Sequence, residues 1–420
     1  MHEKMSWTRF DTRWMLSLFG TAVGAGILFL PIRAGTGGFW PVLIMAMLVF
    51  PMTWLSHRGL SRFVCASSAA DKDITHAAEE HFGRNISLLI TVLYFFAIYP
   101  ICLAYGVGIT NTFASFFTNQ LGWSVDFSTE FNRLILSVIL VSAMMFVMTL
   151  SEEIITKICN ALVYPLCIVL FIFSIYLIPH WKFETLKNIP NLKEFISVVW
   201  LTLPVLVFSF NHSPAISTFS VAMRKEYGDL APYKASQVLF RTSGLLLFFV
   251  MFFVISCIMC LDIDDFQAAR EANIPILSYF ANKLDNPLVS YGAPLVAFLA
   301  IVSSFFGHYF GAREGLNGII RKMIKMSGNE NPNIKTINIF TTIFMYVTMI
   351  IVAYKNPSIL GFIEDLGGPI IAVILFLMPV YAVYRVKNME KWKNPALDAF
   401  VVITGLLAIS SIIAKFFLQG

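Results

Sequence analysis

The sequence predicts an all-α integral membrane protein with about eleven transmembrane helices, and three observations predict it. Hydrophobic residues make up 57% of the 420 positions and charged residues 13%, against the ~25% charged of an ordinary soluble domain. Apolar runs of about 20 residues, the length that a hydrocarbon core of ~30 Å demands of a helix, recur along nearly the whole chain and leave no room for a separate soluble domain. Runs such as LLLFFVMFFVISCIM are apolar throughout, whereas the strands of a membrane barrel alternate apolar and polar residues over ~10 positions.

Charged clusters and Pro/Gly punctuation divide these runs into elements. Span 1 covers 12–34; Arg9 and Arg13 precede it and no small-residue cleavage site follows, so it reads as an uncleaved helix and not as a signal peptide. Span 2 (38–57) stops at Arg58, span 3 (85–118) begins past Arg84, span 4 (133–150) stops before Glu152, and span 5 (154–179) runs up to His180. Span 6 (195–222) begins past Glu194, span 7 (238–261) stops at Asp262, and span 8 (288–322) follows Pro287. Span 9 (336–354) lies between Lys335 and Lys355, span 10 (358–384) between Pro357 and Arg385, and span 11 (396–418) follows Pro395. The connection from Leu261 to Asn286 is acidic and reads as a solvated external face, with ANIPILSYFANKL inside it as a short interfacial helix.

Lys and Arg accumulate in cytoplasmic loops. With the N-terminus cytoplasmic and the C-terminus outside, most of the 30 Lys and Arg fall on the cytoplasmic side, so the net charge of +5 reflects membrane topology and not a nucleic-acid footprint. Cys257 and Cys260 form a C-x-x-C in an apolar helix end without a preceding strand or a second pair, which favours packing over redox or metal chemistry.

Two spans are anomalous. Span 1 carries Gly20, Gly24, Gly26 and Pro31, although glycine and proline cost roughly 1 and 3 kcal/mol in a helix interior relative to alanine. Span 6 reads LTLPVLVFSFNHSPAIS, with Pro204, Asn211, His212, Ser213 and Pro214 near its middle. Non-helical backbone at that depth is tolerated only where it is buried in protein or lines a wet cavity, and paired interruptions in two halves of a chain point to a transporter binding site. Breaks in the first and sixth spans imply two five-helix repeats of inverted topology, 12–179 and 195–384, with span 11 appended to a single domain of 1–420. A small-residue packing face is the other reading of the three glycines; the matching break in span 6 favours exposed backbone. A dinucleotide loop lacks its strand and its acidic residue.

GTAVGAGILFLPIRAGTGG in span 1, FPMTWLSHRGLSRF after span 2, EEHFG and LYFFAIYPI at span 3, VFSFNHSPAIS in span 6, GHYFGAREGLNG in span 8 and LGGPIIAVILFLMP in span 10 closely resemble the bacterial hydroxy and aromatic amino acid permease family, nearest its serine/threonine branch. The resemblance runs in order along almost the whole chain. It implies a LeuT-like inverted-repeat fold and proton-coupled import of serine and/or threonine across the bacterial inner membrane, with no cofactor. One position departs: the serine/threonine branch usually has a lysine just before the Ser-Phe of span 8, where this chain has Ser303, as the aromatic branch tends to. An aromatic amino acid permease for tryptophan or tyrosine and a sodium-coupled serine/threonine symporter are therefore the alternatives.

The expected substrate site lies between the two breaks. The N–H groups around Ala25 and Gly26, beside Thr21 and Gly24, take the carboxylate; the carbonyls around Phe208 and Ser209 take the ammonium; Asn211 or Ser213 meets a small hydroxylated side chain. Tyr99 in span 3 is a further candidate for the carboxylate, although Pro100 leaves its facing direction open. In LeuT-like folds a cation site lies between spans 1 and 8, which pairs carbonyls near Gly20 and Val23 with Ser303 and Ser304. These are hard oxygen ligands that suit sodium. His308, one turn beyond Ser304, suits a proton, and its other reading is a buried histidine satisfied by a carbonyl. Gly307, Gly311 and Gly315 read as a packing face. Arg33, at the outer end of span 1, and Glu364 with Asp365, in span 10, form the expected outer gate, with interfacial anchoring as the other reading of Arg33. No H-E-x-x-H or G-x-S-x-G motif argues for an enzyme, and nothing demands the open charged pore of a channel.

Overall fold

The computed structural model describes residues 6–150 and 152–418, which form helices and their connections with no strand among the described residues. The first span is two helices, α1 (Arg9–Ala22) and α2 (Ala25–Ala34), bent by 54° across the break. Then come α3 (Phe39–Cys65), α4 (Ile74–Ser115), α5 (Glu130–Val147) and α6 (Glu152–Leu177). The sixth span is also two helices, α7 (Leu192–Ser209) and α8 (Ser213–Tyr227), and it is followed by α9 (Ala231–Cys260). Two short helices, α10 (Ile263–Glu271) and α11 (Ile276–Lys283), precede α12 (Pro287–Met326) and α13 (Ile334–Lys355). Span 10 is assembled from α14 (Ile359–Phe362), α15 (Gly368–Ala372) and α16 (Met378–Arg385), joined by π-helical turns at Ile363–Gly367 and Val373–Leu377; α17 (Pro395–Leu418) ends the chain. Ten of the described helices are long and apolar enough to cross a membrane, and the bent pair α1–α2 supplies the eleventh span.

Local chemistry accounts for the ends. Thr8 and Asp11 form a reciprocal capping box that starts α1, so two of its orphan donors are satisfied. Asn191 and Glu194 do the same for α7. Within α4, Gly83 takes φ +78°, a conformation open to glycine, and this kink separates a short segment starting at Ile74 from the membrane-crossing part. That explains why the helix begins earlier than the apolar run.

Every residue of α2 is buried, as an apolar segment with no polar face must be. Around it pack α7, α9, α10 and α12, while α5, α6, α13 and α17 turn side chains such as Phe131, Ile139, Ile168, Ile339, Ile343 and Ile413 outward. On the face that carries the N-terminus, Lys234 donates to Asp11 at 2.7 Å with both side chains fully buried, and Tyr227 donates to the same carboxylate at 2.8 Å. On the far face, α11 falls where a short interfacial helix was expected. The rest of that connection is more than a solvated loop: α10 lays Phe266 against Gly35 and directs Arg270 to span 10.

Candidate functional site

The two breaks face each other. α1 ends at Ala22 and is capped by Val23, whose N–H still bonds Phe19 O at 2.9 Å, and α2 starts at Ala25 from Gly24, with no side chain capping it. A helix start leaves its first N–H groups without intrahelical partners, so the donors around Ala25 and Gly26 are presented inside the protein. Gly26 lies directly on α7: a methyl group there would stand 2.7 Å from Ser209 Cα and 2.8 Å from the Phe208 ring. In span 6 the helix stops at Ser209, and Phe210, Asn211 and His212 bridge to α8. Asn211 Oδ1 accepts from Ser213 N–H at 3.0 Å, while its Nδ2 is buried without a partner among the described groups. Phe208 O accepts from Asn211 N–H at 3.2 Å, and Ser209 Oγ donates to Val205 O.

Span 8 reaches the first break through Ser304. Its hydroxyl donates to Thr21 O at 2.5 Å and pairs with Tyr105 OH at 2.6 Å. A methyl group on Gly24 would strike both partners, at 2.5 Å from Ser304 Oγ and 2.6 Å from Tyr105 OH. His308 turns its Nδ1 back to Ser304 O at 2.9 Å. Ser303 Oγ donates to Ala300 O, and Gly20 packs against Val163 of α6. Tyr99, by contrast, directs its hydroxyl to Thr348 of α13; the span 3 tyrosine bonded at the break is Tyr105.

A cavity of about 380 Å³ runs from Asp73, Arg321 and Asn338 on the N-terminal face inward to Gly20, Thr21 and Ser303, a volume in the range of small-molecule sites. Toward the far face, Glu364 lies buried in a π-helical turn, a feature common at functional positions. Arg270 clamps it through two bonds of 3.0 and 2.8 Å. Lys415 approaches it at 3.0 Å and Asp365 at 2.6 Å. Arg33 stands 3.6 Å from Glu364, an ion pair without a hydrogen bond. The cavity that reaches Gly20, Thr21 and Ser303 thus opens on the N-terminal face, and on the other side an ion cluster surrounds the buried Glu364.

Sequence reasoning passed over Tyr105, Arg270 and Lys415, which become visible as partners only once the helices pack. It also passed over His57 and Glu314, for which a signal existed: both are ionisable residues within the assigned spans 2 and 8, the default marker of a functional position.

The opposed half-helices at paired breaks define a helical membrane protein of the LeuT-like inverted-repeat fold. Solved structures agree: a manganese transporter of Eremococcus coleocola superposes with a TM-score of 0.59 at 14% identity, covering 97% of this chain and 88% of that one. The structure of MhsT in complex with L-phenylalanine gives 0.59 at 15% identity, covering 98% and 99%. These likenesses establish the fold alone.

The profile of the tryptophan/tyrosine permease family matches residues 14–418, and the chain belongs to that family. It is a multi-pass membrane transporter of amino acids and not an enzyme. Among its relatives, the serine transporter SdaC of Escherichia coli (strain K12) is 49% identical over 99% of this chain and 96% of its own length. The protein of the same name from Shigella flexneri is 48% identical over the same shares.

Proposed function

We propose that this chain imports serine, and threonine with it, in symport with a proton across the bacterial inner membrane, its N-terminal face cytoplasmic and its C-terminus periplasmic. The observation that carries the reading is the uncapped start of α2 beside the span 6 break, in a chain that is 49% identical to serine transporters along its length. Bare N–H groups and the positive end of a helix dipole suit a carboxylate. The substrate carboxylate sits on Ala25 and Gly26 N–H with Thr21 and Gly24 alongside, and the ammonium faces carbonyls at Phe208 and Ser209. The serine hydroxyl meets the unpartnered Nδ2 of Asn211 or the Ser213 side chain. The two halves, 12–179 and 195–384, act as the inverted repeats, and the Arg33, Glu364 and Asp365 cluster closes the periplasmic side.

The proton is preferred as coupling ion because buried histidines stand beside the breaks, while Ser304 already bonds Thr21 and Tyr105. A sodium ion between Gly20, Val23, Ser303 and Ser304 is the second reading, favoured by the position of Ser303 on the cavity wall. The test is uptake of labelled serine into proteoliposomes under separately imposed pH and sodium gradients, with threonine and tryptophan as competitors. Uptake driven by the pH gradient and competed by threonine supports the proposal. Uptake driven by sodium alone, or competed by tryptophan and not threonine, overturns it.

A further inference from the structure

Two histidines at the span 6 break hold no substrate group in the site just described. His57 of α3 stacks on His212 with ring centroids 3.6 Å apart and planes 8° from parallel. His57 is wedged between groups of opposite kind: its Nδ1 lies 2.8 Å from Thr53 O, and its Nε2 lies 3.1 Å from the backbone N–H of His212. A carbonyl only accepts and an amide N–H only donates, so the ring carries its hydrogen on Nδ1, offers a lone pair at Nε2, and is neutral. Its Nε2 is what holds the amide of His212, in the middle of the break.

We propose that His57 Nε2 is the proton-binding site of the transport cycle. The proposal rests on the proton-symport reading above and names the atom that takes the proton. A proton from the periplasmic solution adds to the Nε2 lone pair and makes an imidazolium; the same proton later leaves to the cytoplasm and the neutral ring returns. With the proton bound, two N–H groups point at each other and the bond to His212 N–H is lost. The Asn211 side chain lies beside the ring, and its oxygen now accepts from Ser213 N–H. Drawing it to His57 undoes the turn that starts α8. The proton-loaded chain therefore does not keep the break in the shape seen here, and the state open to the cytoplasm is the unloaded one. In a two-state equilibrium a ligand favours the state that can hold it, so loading biases the chain away from this state.

Among the described residues no carboxylate acts on His57, and Glu314 lines the separate cavity on the N-terminal face. The titratable groups acting on His57 and its partner are each other and, beyond His212, His308. The apolar side chains beside His57 from α7, the break and the second π turn are Leu206, Val207, Phe210, Leu375 and Phe376, and the polar ones from the break are Asn211 and His212.

The test compares the wild-type chain with His57→Gln and His308→Gln in proteoliposomes. Glutamine can still accept from His212 N–H but does not titrate. At a tenfold proton gradient with no voltage, one-to-one coupling concentrates serine up to about tenfold in the wild type and in H308Q. In H57Q the expected accumulation falls to about onefold, while serine counterflow at equal pH stays within about threefold of wild type. Accumulation by H57Q equal to wild type overturns the proposal and leaves proton symport standing; failure of the wild type to respond to pH removes proton symport itself. If H57Q does not fold, acrylamide quenching of a bimane on Thr218→Cys, a position on the cytoplasmic cavity wall, decides in an otherwise wild-type or H308Q background. Quenching that falls from pH 8 to pH 5 in both supports His57, and quenching that is unchanged, or whose change disappears in H308Q, overturns it.

Discussion

Replacing Gly26 with alanine adds one methyl group at the closest approach of the two broken spans. The new carbon would lie 2.7 Å from Ser209 Cα, against the 3.4 Å at which ordinary contact begins. Backbone cannot swing aside as a side-chain tip can, so α2 and α7 must part by about 0.7 Å. Overpacking of this kind costs about 1–3 kcal/mol. The functional effect comes from geometry: a hydrogen bond of ~2.9 Å stretched by that amount reaches ~3.6 Å and ceases to be one. A bond to a charged group contributes about 1.5–3 kcal/mol, so losing one between the substrate and either break weakens serine affinity by roughly 10- to 100-fold. Scintillation-proximity binding on purified protein measures this directly. Gly292→Ala in α12 is the control, because a methyl group there meets nothing within 4 Å; it should bind as wild type and gain up to about 1 kcal/mol in helix propensity. Wild-type affinity in Gly26→Ala, from protein of normal stability, would refute the placement of the substrate between the breaks.

Ser304→Ala leaves Thr21 O and Tyr105 OH without their shared partner, so a loss of about 1–3 kcal/mol and a lower melting temperature are expected; Tyr105→Phe should cost less because Ser304 keeps its bond to Thr21. Glu364→Gln sets Arg33, Arg270 and Lys415 around a neutral group, and breaking so buried a cluster costs about 3–5 kcal/mol; greater labelling from the outer face of a cysteine placed beside Arg33 checks it. Asp11→Asn strands the fully buried Lys234 and should destabilise by a similar ~3–5 kcal/mol, while the double change Asp11→Leu with Lys234→Met recovers most of it in thermal unfolding.

The span count, the order of elements and the two breaks were legible in the chain because each rests on a local property. Run length against membrane thickness marks a span, and glycine, proline and isolated polar residues mark where helix hydrogen bonding must stop. For the same reason the spans were placed close to the observed helices, while α10 was read as solvated loop: its burial comes from docking on α2 and not from any apolar run of its own. The residues of the breaks themselves were named on the same local grounds, whereas the cation-site candidates came from the LeuT-like fold.

What the tertiary structure decided is which polar groups meet. Ser304 and Thr21 are separated by 283 positions, His57 and the amide of His212 by 155, and Arg270 and Glu364 by 94. No sequence period spans such distances. Nor could the facing of a tyrosine next to Pro100 be read along the chain, so only packing turned Tyr99 to Thr348 and brought Tyr105 to Ser304. The hydrophobic effect and backbone hydrogen bonding write each helix locally, whereas a buried donor finds its acceptor only where separate helices are pressed together without water.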